Sequence, residues 1–229
     1  MADIAVKKLQ ATDFQTAEAI KTLRSNLIFS GTSVQAVELT SFSASEGKST
    51  ISFQLALSLA EAGKRVLLID ADLRKSVLLS YLKVRERVKG LSHYLSGQAK
   101  LDDLINPTDL PGFFIMFSGA RVPNSSELLG SPQFRAMIPA LKKVFDYIIV
   151  DAAPLGLVID AAVMAPALDG AIMVVDATNN SYRLERRIQN QLVKSGGKIL
   201  GVVLNRVNYK DQGGYYGKKY GYGYGYGAE

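Results

Sequence analysis

The stretch AVELTSFSASEGKST, residues 36–50, decides how this chain folds. Its first part, AVELTSF (36–42), reads as a strand, and KSTISFQLALSLAEAG (48–63) reads as a helix ended by Gly63. Between them stand Gly47, Lys48 and Ser49, the closing residues of a phosphate-binding loop. In such a loop the backbone amides cradle phosphate, the lysine reaches the β- and γ-phosphates, and the hydroxyl binds Mg²⁺. The full pattern G-x-x-x-x-G-K-[ST] asks for glycine at position 42, where this chain has Phe42. The triplet alone also fits a helix start with an exposed lysine, so the strand-to-helix setting carries the phosphate reading.

Outward from the loop, strand and helix patterns alternate. Upstream, Phe14, Ala17, Ile20, Leu23 and Leu27 recur at helical spacing and predict an amphipathic helix over 13–29. Downstream, RVLLID (65–70) is an apolar strand of the kind buried on both faces. Two short helical pieces, around GLSHYLSG (90–97) and LDDLI (101–105), precede the strand FFIMFSG (113–119). SPQFRAMIPALKKVF opens with a serine N-cap and a proline at the first helical position, then leads into DYIIVD (146–151). Strands at GAIMVVDA (170–177) and KILGVVLN (198–205) bracket a helix near 181–195. The alternation predicts an α/β fold with a mostly parallel central sheet flanked by helices on both faces. After Asn208 the hydrophobic pattern stops, and the remainder reads as a disordered, low-complexity tail.

Two strand ends add chemistry to the loop. LLIDADLR places Asp70 and Asp72 directly after one apolar strand, with Arg74 beyond, and YIIVDAAP places Asp151 after another. In an open parallel sheet ligands sit past the carboxyl ends of the strands, so the three carboxylates converge on the phosphate loop. Phosphoryl transfer asks for that set: amides and a lysine on phosphate, carboxylates on Mg²⁺, and a group that activates the acceptor. Each aspartate taken alone fits a helix cap or a solvated loop, but three beside one such loop point to a Mg-nucleotide site.

Composition bounds the setting. The 229 residues suit one well-buried domain, and 48% apolar with 21% charged residues is typical of a soluble globular protein. The opening MADIAVKKLQ has no apolar core of a secretory signal, and Asp151, Pro154, Asp160 and Asp169 interrupt the longest apolar stretch. With no cysteine there is neither disulfide nor thiolate chemistry, which fits a cytoplasmic protein. The net charge of +6 lacks a dense basic run or aromatic platforms, so no nucleic-acid partner is expected.

SFSASEGKST, LLIDADLR and YIIVDAAP resemble the Walker A, Walker A′ and Walker B motifs of the bacterial tyrosine kinases of capsule and exopolysaccharide synthesis, in particular the stand-alone cytoplasmic type of Gram-positive bacteria. FSGARVPNSSELLGSPQF (117–134) resembles the segment between these motifs, GVVLNRV (201–207) the last strand, and GGYYGKKYGYGYGYG (213–227) the autophosphorylated tail. The resemblance implies a P-loop NTPase fold using ATP and Mg²⁺. In that reading Asp70 is the base for the phenol, and Ser49, Asp72 and Asp151 surround Mg²⁺. Lys48 meets the transferred phosphate, Ser45, Glu46, Gly47 and Thr50 hold the nucleotide phosphates, and Arg74 contacts phosphate. The family's oligomerisation motif E-x-x-R-x-x-R corresponds here to Glu18, Lys21 and Arg24, with lysine replacing the first arginine. An ordinary surface pair is the other reading of those residues. The family often has Pro-Gly where this chain has Ala44 and Ser45, a place that favours glycine geometry.

Three spans follow: 1–34 as an amphipathic, oligomerising element, 35–208 as the kinase domain, and 209–229 as the tail. Tyr215, Tyr216, Tyr220, Tyr222, Tyr224 and Tyr226 are the expected phosphoacceptors. From Asn205 to Tyr226 the chain can span roughly 70 Å, against about 45 Å for the width of a domain this size. The tail can therefore reach a neighbour's site and be phosphorylated in trans; by itself it also fits an inert, sticky extension. The resemblance further implies a membrane-bound polysaccharide co-polymerase as activator, recruitment to the inner face of the plasma membrane, a ring-like homo-oligomer and a tyrosine phosphatase. The competing reading is a division-site or partitioning-type ATPase switch without kinase activity. Those partitioning ATPases carry a lysine where this chain has Ser43. A non-catalytic scaffold is a third.

Overall fold

A computed structural model describes residues 4–6, 9, 13–84, 88–178 and 182–207. The tail and its six expected acceptor tyrosines lie outside the described residues. Among those described, seven strands form one sheet in the order β3-β4-β2-β5-β1-β6-β7. The strands are β1 (Ala36–Ser41), β2 (Val66–Asp70), β3 (Asn106–Pro107), β4 (Phe113–Met116), β5 (Tyr147–Asp151), β6 (Gly170–Asp176) and β7 (Ile199–Asn205). All pairings are parallel except β3 with β4. The expected α/β architecture is therefore present, with an antiparallel edge strand that the sequence pattern does not announce.

Helices cover both faces, as parallel strands buried on two sides require. On one face lie α1 (Phe14–Phe29), α2 (Lys48–Glu61) and the single turn α3 (Leu78–Tyr81), packed around Phe53, Leu68, Ile115 and Ile149. On the other lie α4 (Leu91–Leu95), α5 (Ser125–Leu129), α6 (Pro132–Lys142), α7 (Asp160–Met164) and α8 (Tyr182–Lys194). That core is built around Phe134, Met137, Ile148, Val150 and Ile188. α2 is buried from Ile51 to Ala60 because α1 lies over its outer side. The predicted stripe of α1 is only partly used: Leu27 is buried, while Phe14 is 79% exposed. α6 begins as expected, with Ser131 accepting from the Phe134 amide at 3.3 Å and Pro132 in the first turn.

Parallel strands that start together also end together, and here they end at the chemistry. Asp70 of β2 and Asp151 of β5 are register partners, and Leu39 of β1 pairs with the same Asp151. The loop after β1 rises over this edge.

Candidate active site

The phosphate loop is shaped by backbone that few residues tolerate. Gly47 caps α2 at φ 88, and Ser45 sits at φ 66, a left-handed conformation that costs a non-glycine residue of order 1 kcal/mol. Ser45 stands where glycine geometry was expected to be favoured. A Cβ on Gly47 would meet Asn205 Nδ2 at 2.1 Å, so glycine is demanded by space as well as by φ. Within the loop, the Phe42 amide donates to the Glu46 carboxylate at 2.9 Å and the Ser41 hydroxyl to the Ser43 carbonyl at 2.8 Å. Burial raises the Glu46 carboxyl above its usual range despite amide donors from Ser43 and Phe42.

Below the loop lies a buried charge cluster. Lys48 Nζ is 2.5 Å from Asp151 Oδ1 and 3.3 Å from Ser49 Oγ, and the Ser52 hydroxyl donates to the same Asp151 oxygen at 3.1 Å. Lys48 and Asp151 are both almost fully buried, 6% and 2% exposed. Asp70 accepts from the Ser76 hydroxyl and from the Asp72 amide. Burial, then the neighbouring Asp151 charge, pushes the Asp70 carboxyl up to about 7. Asp72 closes a turn, accepting the Lys75 amide at 2.8 Å and the Arg74 amide at 3.2 Å.

Over this cluster opens a cavity of about 400 Å³. Ser45, Gly47, Lys48, Ser49, Thr50 and Asp72 line it, together with Arg74 and, on its rim, Val77 and Leu157. Glu46, Asp70 and Asp151 do not. The two buried aspartates lie behind the lining, so Asp72 is the expected carboxylate that faces the open space. Arg74 is also held from behind: its Nε donates to Asp160 at 3.1 Å and its Nη2 to the Ser126 hydroxyl, also at 3.1 Å. Asp160, fully buried, also accepts from the hydroxyls of Ser125 and Ser126 at 2.7 Å each. Burial alone would raise the Asp160 carboxyl, but the hydrogen bonds from Arg74, Ser126 and Ser125 hold it below its usual range.

The family model described as an AAA domain matches residues 37–195. A tyrosine-protein kinase CpsD of Streptococcus agalactiae is 44% identical over 206 residues, which is 88% of this chain and 90% of that protein. The chain belongs to the CpsD/CapB family of tyrosine-protein kinases. A putative tyrosine-protein kinase CapB of Staphylococcus aureus is 32% identical, covering 87% of this chain and 88% of that one. Among solved structures, the chimerical protein CapA2B2 superposes with a TM-score of 0.81 at 30% identity, over 90% of this chain and 93% of that chain. The septum site-determining protein MinD of Pyrococcus horikoshii, complexed with Mg-ADP, gives 0.65 at 28% identity over 76% and 71%. The kinase-family fold and a P-loop nucleotide site are thus common ground for CpsD/CapB proteins and this chain.

The family's cofactors fit the residues present. The loop residues Gly47, Lys48, Ser49 and Thr50 line the open cavity with Asp72, and behind them the Asp70–Asp151 pair holds repelling carboxyls that a cation would relieve. Among the described residues no three acidic, histidine or cysteine side chains group to hold an ion by themselves.

The residues expected to join subunits have local partners. Lys21 pairs with Glu18 at 2.7 Å on the exposed side of α1, while Arg24 turns inward and donates to the Ser58 carbonyl of α2 at 3.0 Å. Sequence reasoning missed Asp160, which holds Arg74, and Asn205 and Arg206, which donate to the Glu46 and Ser45 carbonyls of the loop. A buried aspartate just after the YIIVDAAP strand was the one signal available for Asp160.

Proposed function

We propose that this protein transfers phosphate from ATP to tyrosine, acting in trans on the tail tyrosines of a second copy, and so regulates capsular or exopolysaccharide synthesis. The observation that carries the reading is the buried Lys48–Asp151–Asp70 cluster beneath the Gly47 cradle, in a chain of the CpsD/CapB family. The amides of residues 45–50 receive the nucleotide phosphates, with Thr50 beside them. Lys48 leaves Asp151 and meets the transferred phosphate, which frees an Asp151 oxygen. Ser49, Asp72 and Asp151 would hold Mg²⁺, which when bound would neutralise the phosphate oxygens. The tyrosine oxygen attacks the γ-phosphorus, the bond to the β–γ bridging oxygen breaks, and ADP leaves. Asp70 takes the phenol proton; a carboxyl raised to about 7 suits a base working near neutral pH.

The rest of the reading extends the same frame. Residues 1–34 form an oligomerising element through Glu18, Lys21 and Arg24 in a ring of copies, 35–208 the kinase domain, and 209–229 the acceptor tail. A membrane-bound polysaccharide co-polymerase activates the enzyme at the inner face of the membrane, and a tyrosine phosphatase resets it. A chimera named CapA2B2 among the structural relatives supports pairing with a second protein. No described helix is long and apolar enough to cross a membrane, which is compatible with recruitment by a partner. Likeness to MinD favours a second reading, an ATPase switch without kinase activity. Phosphotyrosine in the wild type with Mg·ATP separates the two, and Lys48→Met is its control: on the kinase reading it abolishes both ATP turnover and phosphotyrosine while circular dichroism stays native. Phosphotyrosine that persists in purified Lys48→Met protein contradicts the kinase reading, and turnover without phosphotyrosine in the wild type supports the switch.

A further inference from the structure

The last residue of β7 and its successor reach back to the phosphate loop. Asn205 Nδ2 donates to the Glu46 carbonyl at 2.8 Å, and Arg206 Nη2 donates to the Ser45 carbonyl at 2.8 Å. The guanidinium is fixed from its other side, where Nη1 sits on the Asp176 carboxylate. Asp176 also accepts the Thr178 amide at 2.9 Å and the Thr178 hydroxyl at 2.7 Å. Two consecutive carbonyls of the loop are thus held by two consecutive residues about 160 positions away in sequence.

A peptide unit is planar and trans, so its C=O and N–H point in opposite directions. Holding the Ser45 carbonyl therefore fixes the Glu46 amide on the far side, and holding the Glu46 carbonyl fixes the Gly47 amide likewise. A loop of this kind binds anions only while its amides keep one direction. Ser45 and Gly47, at φ 66 and φ 88, flank these peptides in conformations the chain would leave easily without support. Asn205 occupies the space that a side chain at position 47 would take.

We infer that Asn205 and Arg206 are positioning residues for the nucleotide: they set the direction of the Glu46 and Gly47 amides that receive its phosphates. This rests on the Mg-nucleotide reading of the site. Neither residue transfers a proton or meets the acceptor, so their loss falls on nucleotide binding. The test is titration calorimetry with Mg·ADP on the full chain and on Asn205→Ala, Asn205→Leu and Arg206→Lys. Leucine keeps the volume of Asn205 and removes the donor, whereas Arg206→Lys keeps charge opposite Asp176 and gives up the second hydrogen bond. Expected are dissociation constants about tenfold weaker for both Asn205 variants and about fivefold weaker for Arg206→Lys, with ligand-free melting little changed. The KM for ATP rises by a similar factor, while kcat changes less. A merely packing role predicts that Asn205→Leu binds like the wild type, and that result overturns the proposal. Arg206, 52% exposed at its side chain, is open to substitution without loss of fold, so wild-type affinity in Arg206→Lys overturns it as well. Failure of the wild type to bind Mg·ADP would instead remove the nucleotide reading itself.

Discussion

At Asp70 and Asp151 the backbone register places two carboxyls side by side at the ends of adjoining strands, with Lys48 bonded to Asp151. Burial first, and then the like charge of Asp151, raise the Asp70 carboxyl to about 7. The account gives the buried Asp70 the phenol proton and the cavity-lining Asp72 a share of Mg²⁺. Asp70→Asn should therefore bind Mg·ADP normally and lose phosphorylation by roughly 10²–10⁴-fold, whereas Asp72→Asn should weaken Mg-dependent nucleotide binding. Affinity measured beside turnover checks this; full activity in Asp70→Asn moves the base to Asp72. Gly47, Lys48 and Ser49 were legible because three adjacent residues do one job. Arg74 was legible as a residue beside the loop, but the Asp160 that holds it lies 86 positions on, and nothing local marks that pairing.

Elements followed the pattern where the pattern was long. The apolar runs at 65–70, 146–151 and 170–177 became β2, β5 and β6 within a residue or two, since parallel strands buried on both faces leave a continuous apolar signature. The one-turn helices α3, α5 and α7 were not foreseen, being too short to show a helical period, and β3 is two residues with a proline. β1 breaks its own rule. Glu38 lies at the middle of this central strand, fully buried between Val150 and Ala171, and neither carboxyl oxygen has a hydrogen-bond partner among the described residues. Burial raises its carboxyl well above 4.5. Above that pH the unfolded chain releases the proton while the folded chain keeps it, so stability falls as pH rises past 4.5. Glu38→Leu should stabilise the fold by about 1–3 kcal/mol, or roughly 2–4 °C in melting midpoint per kcal/mol. The gain should be larger at pH 8 than at pH 5 in thermal melts. A variant that melts below the wild type at both would show that Glu38 has a partner the strand needs.

Across the whole molecule, the account joins a folded site at one sheet edge to an acceptor segment that follows β7 in sequence. The domain was legible from alternation of strands and helices, because each strand end that carried an aspartate had to open on the same edge. How copies meet was not legible in the sequence; within one chain Lys21 pairs with Glu18 and Arg24 donates to α2. The central claim is transfer of phosphate from ATP to tail tyrosines of another copy. Its most direct measurement mixes Lys48→Met protein of full length with an active chain lacking residues 213–229, adds Mg·ATP and an activating co-polymerase peptide, and maps phosphotyrosine by mass spectrometry. The account predicts phosphate on the inactive chain, among Tyr215, Tyr216, Tyr220, Tyr222, Tyr224 and Tyr226. ATP hydrolysis by the truncated chain with no phosphotyrosine on its partner would contradict it.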